Sequence, residues 1–105
     1  MSKLSARFNQ SPNEVKRYLL DYTLDLAVGE TVISAAAPTV VPTPGQVASP
    51  PLVVNNVVIG PGNLQVAFFV SGGVNGNYYE VQFLTTTSLG QVREDVVAFN
   101  ILGDL

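Results

Sequence analysis

An antiparallel β-sandwich of about six or seven short strands is the fold that the sequence predicts, and three observations carry it. Apolar and polar residues alternate at period two in several short runs, the pattern of strands with one buried face. Glycine, proline and asparagine punctuate those runs at regular spacing. Almost no segment combines the length and the caps of a helix.

In chain order, residues 1–10 read as an extended arm. Ser11-Pro12-Asn13-Glu14 has capping-box spacing with proline at the next position. A strand pattern takes over soon after, so 11–17 is expected to form one helical turn or a β-turn. Leu20, Tyr22, Leu24 and Leu26 alternate with Asp21, Thr23 and Asp25, which predicts a strand with one wet face. Gly29 turns the chain, and Val32, Ile33 and Ser34 are expected to pair back on that strand. Residues 35–51 contain five prolines, which exclude a helix or a central strand. They form either a connecting loop or an extended arm that adds to a neighbouring subunit's sheet.

Residues 52–59 predict a strand, bulged at Asn55 and Asn56, and residues 60–63 a turn. In residues 64–87, Leu64, Val66, Phe68 and Val70 alternate with Gln65, Ala67 and Phe69. Tyr79, Val81 and Phe83 alternate with Tyr78, Glu80 and Gln82. Gly72, Gly73 and Gly76 lie between the two runs, and the pattern predicts a β-hairpin. Residues 88–90 turn again. The last strand covers residues 91–102, with Val97, Phe99 and Ile101 on one face and Val96, Ala98 and Asn100 on the other. Strands of this number and spacing fit an immunoglobulin-like sandwich. The absence of cysteine and tryptophan excludes only the antibody-type core. Two parts are expected: a basic N-terminal arm and capping turn (1–17) and one β-sandwich domain (18–105) with a proline-rich loop at 35–51.

The 105 residues suffice for one modest core. Charged residues make up 12%, about half the ~25% of typical soluble domains. Their placement is uneven. Residues 1–17 carry a net +3 and the remainder −6, and no charge occurs from Thr31 to Tyr79. The uncharged stretch is either surface covered by neighbours in an assembly or polar loop that stays wet without charge. The N-terminus has no apolar core of a signal peptide, and no apolar run approaches a membrane helix. The chain is expected to be made in the cytoplasm with no membrane partner.

Chemistry is sparse. With no histidine or cysteine, the commonest bases, nucleophiles and soft metal ligands are missing. Asp21 and Asp25 would lie about 13 Å apart on one strand face, too far to share a proton or a glycosidic bond. No phosphate-loop glycine pattern is followed by a helix. No cofactor, no metal and no catalytic residue are expected. The basic arm lacks the aromatic interleaving of a nucleic-acid site, and the acidic body would repel phosphate. An acidic protein neighbour suits it better. Arg93, the one cation after Arg17, is expected to pair with Glu80, Asp21 or Asp25 across a sheet.

These residues resemble a known family. Phe8, Pro12-Asn13-Glu14-Val15 and Leu20-Asp21-Tyr22-Thr23-Leu24-Asp25 open the chain. Ser71-Gly72-Gly73, Gly76, Tyr79-Glu80-Val81, Thr85-Thr86-Thr87, Gly90 and Arg93 follow. The pattern is similar to that of the small fibre–tail adaptor proteins of tailed bacteriophages, over nearly the whole chain. The resemblance implies an immunoglobulin-like fold without catalysis, present in several copies per virion and bridging the tail to its fibres. Tyr22, Asp25, Gly72, Gly73, Gly76, Tyr79, Gly90 and Arg93 would be its structural turn and strand positions.

The expected function is therefore that of a virion structural protein that binds other virion proteins. Lys3, Arg7, Phe8, Lys16 and Arg17 in the arm, and Val40, Val41, Pro42, Pro44 and Val47 in the loop, are the expected partner-binding residues. The arm is expected to be dispensable for folding. A capsid decoration or cement protein is the alternative. A carbohydrate-binding module would need exposed planar aromatics, for which only Tyr18, Tyr78 and Phe69 are candidates.

Overall fold

The computed structural model describes residues 4–47 and 50–103. Eight strands fold into two sheets: β1 (Leu4–Gln10), β2 (Val15–Asp21), β3 (Val32–Ala35), β4 (Thr39–Pro42), β5 (Leu52–Ile59), β6 (Gln65–Gly72), β7 (Tyr78–Thr87) and β8 (Val92–Ile101). The larger sheet has the order β1-β8-β7-β3, with β4 also on β7. The smaller is β2-β6-β5. β3 and β4 run antiparallel to β7 one after the other, at Thr85 to Thr87 and Tyr79 to Gln82. They act as one interrupted strand, which brings the total to seven. An order of β8-β7-β3 facing β2-β6-β5 is consistent with the G-F-C and B-E-D sheets of an immunoglobulin-like sandwich.

The core lies where the inner faces meet. Tyr18, Phe68, Phe83 and Phe99 form its centre, with Phe68 and Phe83 ring centroids 4.6 Å apart and Tyr18 edge-on to Phe99 at 5.1 Å. These tilted and edge-on contacts are the favoured arrangement of aromatic quadrupoles. A second cluster of Tyr22, Val32 and Val66 fills the space towards the far end of β7.

Several expectations change. The largest correction concerns residues 64–87. β6 and β7 do not pair; they lie in opposite sheets. Period-two alternation is the same for a hairpin and for two strands that face each other across a core. The connection decides between them, and it is an arch. Gly72 and Gly73 are both left-handed (φ 75° and 88°). A Cβ on Gly72 would stand 2.8 Å from the Pro51 carbonyl oxygen, and one on Gly73 3.0 Å from Ile101. Only glycine lets the backbone pass so close. Tyr79 pins the arch from inside: its hydroxyl oxygen accepts from the Val74 amide at 3.2 Å and from Asn77 Nδ2 at 3.1 Å. A tyrosine at the start of this strand bonding back to the preceding corner is an immunoglobulin-like feature.

The first long strand is displaced. β2 ends at Asp21, five residues before the expected end, because the Asp21 carboxylate accepts from the Thr23 amide and hydroxyl and turns the chain. Leu24 therefore leaves the core for solvent. β3 pairs with β7, not with that strand. Residues 4–10 are extended as expected but are laid along β8, in parallel, as strand β1. The sandwich is thus not wholly antiparallel. Residues 11–14 form a β-turn in which the Glu14 carboxylate accepts from the Ser11 amide at 2.9 Å. The bulge in β5 is present, with Asn56 at φ 52°. The proline-rich segment contributes an edge strand, β4, as the exclusion of a central strand requires.

Candidate functional site

The proline-rich loop is built onto the start of β7. Thr43-Pro44-Gly45-Gln46 closes with a Gln46 amide to Thr43 carbonyl bond, and Gly45 sits at φ 87°. Proline second and a left-handed glycine third make a type II turn. The Gln46 side chain then accepts from the Tyr78 amide at 2.7 Å and donates to its carbonyl at 3.1 Å. Asn77 Nδ2 donates to the Val47 carbonyl at 3.0 Å. The loop so fixed encloses an apolar cleft of about 390 Å³ among Val40, Pro42, Pro44, Val47, Leu52 and Tyr79. On the other side of the Pro42 to Pro44 ridge, Val41, Tyr78 and Glu80 line a shallower hollow. The five loop residues singled out by sequence therefore converge on one ridge and its two flanks.

The arm residues do not converge with them. Lys3 lies outside the described residues. Arg7 is exposed on the outer face of the larger sheet, in register with Ala98 and, beyond it, Glu80. The Tyr78 hydroxyl donates to Glu80, and its pKa is raised, by burial first and then by Glu80. Phe8 turns inward. Its ring lies 4.7 Å from Tyr18 and 5.8 Å from Phe99, with about a third of the residue left exposed. Lys16 and Arg17 are exposed on β2 in the opposite sheet, Lys16 standing 5.9 Å from the Tyr18 ring.

A second surface is not among the sites that the sequence singles out. At the far end of β7, Leu24 and Val28 are fully exposed, and Ile33, Leu89 and Val92 are each more than half exposed. Loop 22–31 and turn 88–91 are joined there: the Ser88 amide donates to the Thr31 carbonyl at 2.7 Å, and the Thr31 amide to the Ser88 hydroxyl at 3.0 Å. Beneath this apolar end lies a buried polar brace. Glu30 accepts from the Ala27 amide, the Thr87 hydroxyl and Gln91 Nε2. Those bonds favour the carboxylate, so the Glu30 pKa is lowered, with the Thr87 bond the largest cause. The Tyr22 hydroxyl donates to Asp95 at 2.7 Å and contacts Thr85, and burial pushes its pKa far up. Arg93 lies 5.9 Å from the Tyr22 ring, in register with Thr85 rather than Glu80.

Three of the remaining motif positions make backbone hydrogen bonds. The Asp25 amide donates to the Tyr22 carbonyl, the Gly76 amide to Ile101 and the Gly90 amide to Thr87. Leu24 was invisible as a site because an apolar residue in a strand-like alternation reads as core, and Val28 because it stands in the expected turn at Gly29. The signal available was the Asx-turn potential of Asp21-x-Thr23, which ends the strand before them.

Comparison with curated proteins gives no match. The profile of one family, described as podophage GP4 fiber-tail adaptor protein gp77, matches residues 10–100. That span runs from Gln10, the last residue of β1, to Asn100 near the end of β8, and takes in the proline cleft, the arch and the apolar end. With nearly the whole sandwich covered, the chain belongs to the podophage fibre–tail adaptor family.

Proposed function

We propose that this protein bridges the phage tail to its fibres by passive protein–protein binding, with a different virion protein docked at each end of the strands. The observation that carries this is the placement of the two apolar surfaces. The proline cleft sits at Tyr78 and Tyr79, the first residues of β7, and the apolar end surrounds its last residues. Ten residues of strand separate them by about 30 Å. The molecule itself measures 45 × 28 × 19 Å, so the two surfaces use its long axis.

Each end has the form of an anchor site. The cleft offers a rigid apolar recess for a side chain from the partner, and the apolar end offers Leu24 and Val28 as projecting anchors. Buried apolar anchors of this kind dominate the energy of interfaces. Arg7, Lys16 and Arg17 then act as steering charges towards an acidic neighbour. The fibre–tail name of the family supports the tail over a capsid-decoration role.

The test is compositional. Phage carrying Leu24→Ser with Val28→Ser, and phage carrying Val47→Asp, are purified and their proteins quantified by mass spectrometry. One lesion should leave the adaptor on the particle without fibres, and the other should remove adaptor and fibres together. Identical compositions from both lesions, or wild-type composition from either, would overturn the two-ended reading.

A further inference from the structure

Part of the uncharged stretch lies in the smaller sheet, while β3 and β4 from the same stretch lie in the larger one. β5 and β6 supply two of the smaller sheet's three strands, and neither contains a charged residue. Tyr18, Leu20, Phe68 and Val70 point into the core, so the alternate residues form the outer face. Val15, Leu19, Val53 and Val58 are exposed there, and Phe69 is partly so. Among the described residues of these three strands, the only charges on this face are Arg17 and Asp21, both from β2.

Their positions are self-complementary. Arg17 and Asp21 lie two residues to either side of Leu19, each about 7 Å from it along the strand. The register places Leu19, Ala67 and Val58 in one row across the sheet, with Phe69 and Asn55 in the Arg17 row and Gln65 in the Asp21 row. A two-fold rotation about an axis along the Leu19 row turns the face onto itself. It lays the central apolar row on its own copy and sets each Arg17 over the other chain's Asp21. Isologous contacts require this kind of self-matching, and packed sheets align nearly parallel or antiparallel.

We infer that this face is a dimer interface between two copies of the chain, packed sheet on sheet about the Leu19 row. Three strands of seven or eight residues give a footprint of about 300 Å², well below the ~800 Å² per partner of a standard stable interface. The dimer is therefore weak and concentration-dependent. The inference does not rest on the bridging role, because it concerns the purified chain alone.

Sedimentation equilibrium of the purified protein at low salt, up to about 0.5 mM, should show a monomer–dimer equilibrium. Arg17→Asp puts acid over acid at both contacts, and Asp21→Arg puts cation over cation. Each single variant should raise the dimer Kd by about tenfold or more. An equimolar mixture of the two should restore dimerisation as a heterodimer, and the double variant R17D/D21R should restore it as a homodimer. Circular dichroism melts establish that each variant is folded. A wild-type chain that stays monomeric throughout overturns the inference, as does dimerisation that the single variants leave unchanged. A variant mixture that stays monomeric overturns the proposed pairing.

Discussion

Gln10 is the residue on which the two sheets are stapled. It is buried at the end of β1. Its Nε2 donates to the Val70 carbonyl at 2.7 Å and to Glu14 at 3.2 Å, and its Oε1 accepts from the Tyr18 hydroxyl at 2.7 Å. Replacing it with alanine strands a buried carbonyl and a buried hydroxyl. The expected loss is about 1–3 kcal/mol, read from the denaturant midpoint. Nothing in the sequence marked Gln10, since a glutamine at the end of an extended arm reads as surface. Glu30 gives a second prediction. An ordinary glutamate titrates near 4.5, and in the folded chain the value is lowered. Its contribution to stability is full above 4.5 and is lost as pH falls through the folded value. Amide exchange in loop 22–31 should therefore accelerate in acid before the core opens. Glu30→Gln should exchange faster at neutral pH and show a flatter dependence between pH 3 and 6.

Among the elements, the arch between β6 and β7 shows best what sequence could and could not reveal. Both strands were legible from alternation, and so were β5 with its bulge and the inward face of β8. The partner of each strand was not, because pairing is decided by the connection. Residues 72–77, with three left-handed glycines, cross the sandwich, where a two-residue turn would have closed a hairpin. Gly73→Ala tests this directly. The substitution forces a side chain into a left-handed position against Ile101 and should cost about 1–3 kcal/mol in chemical denaturation. Gly76→Ala is also left-handed but has open space around it, so its cost should be the smaller of the two. The loop at 35–51 was readable in composition only. That its Gln46 would bond both polar groups of Tyr78, and so shape a cleft, depends on a contact across 32 positions.

The whole molecule is polarised along its strands. Among the described residues, Arg7, Lys16 and Arg17 stand with Glu14 and Glu80 in the half that holds the proline cleft, a net +1, while Asp21, Asp25, Glu30, Glu94 and Asp95 gather with Arg93 in the half that ends in Leu24 and Val28, a net −4. The uneven charge was visible in the sequence. From Leu4 to Gln10, the segment expected as an extended arm forms a full strand on β8 and carries the buried Gln10. Deleting residues 1–10 should therefore broaden or abolish the cooperative thermal transition, rather than affect assembly alone. The bridging account is tested most directly by photo-crosslinking in assembled particles. A photoreactive phenylalanine analogue is placed at Leu24 in one phage stock and at Val47 in another, and the adducts are identified by mass spectrometry. The account predicts two different virion proteins, one of them a fibre protein. Adducts to the same protein from both positions, or to neither tail nor fibre, would contradict it.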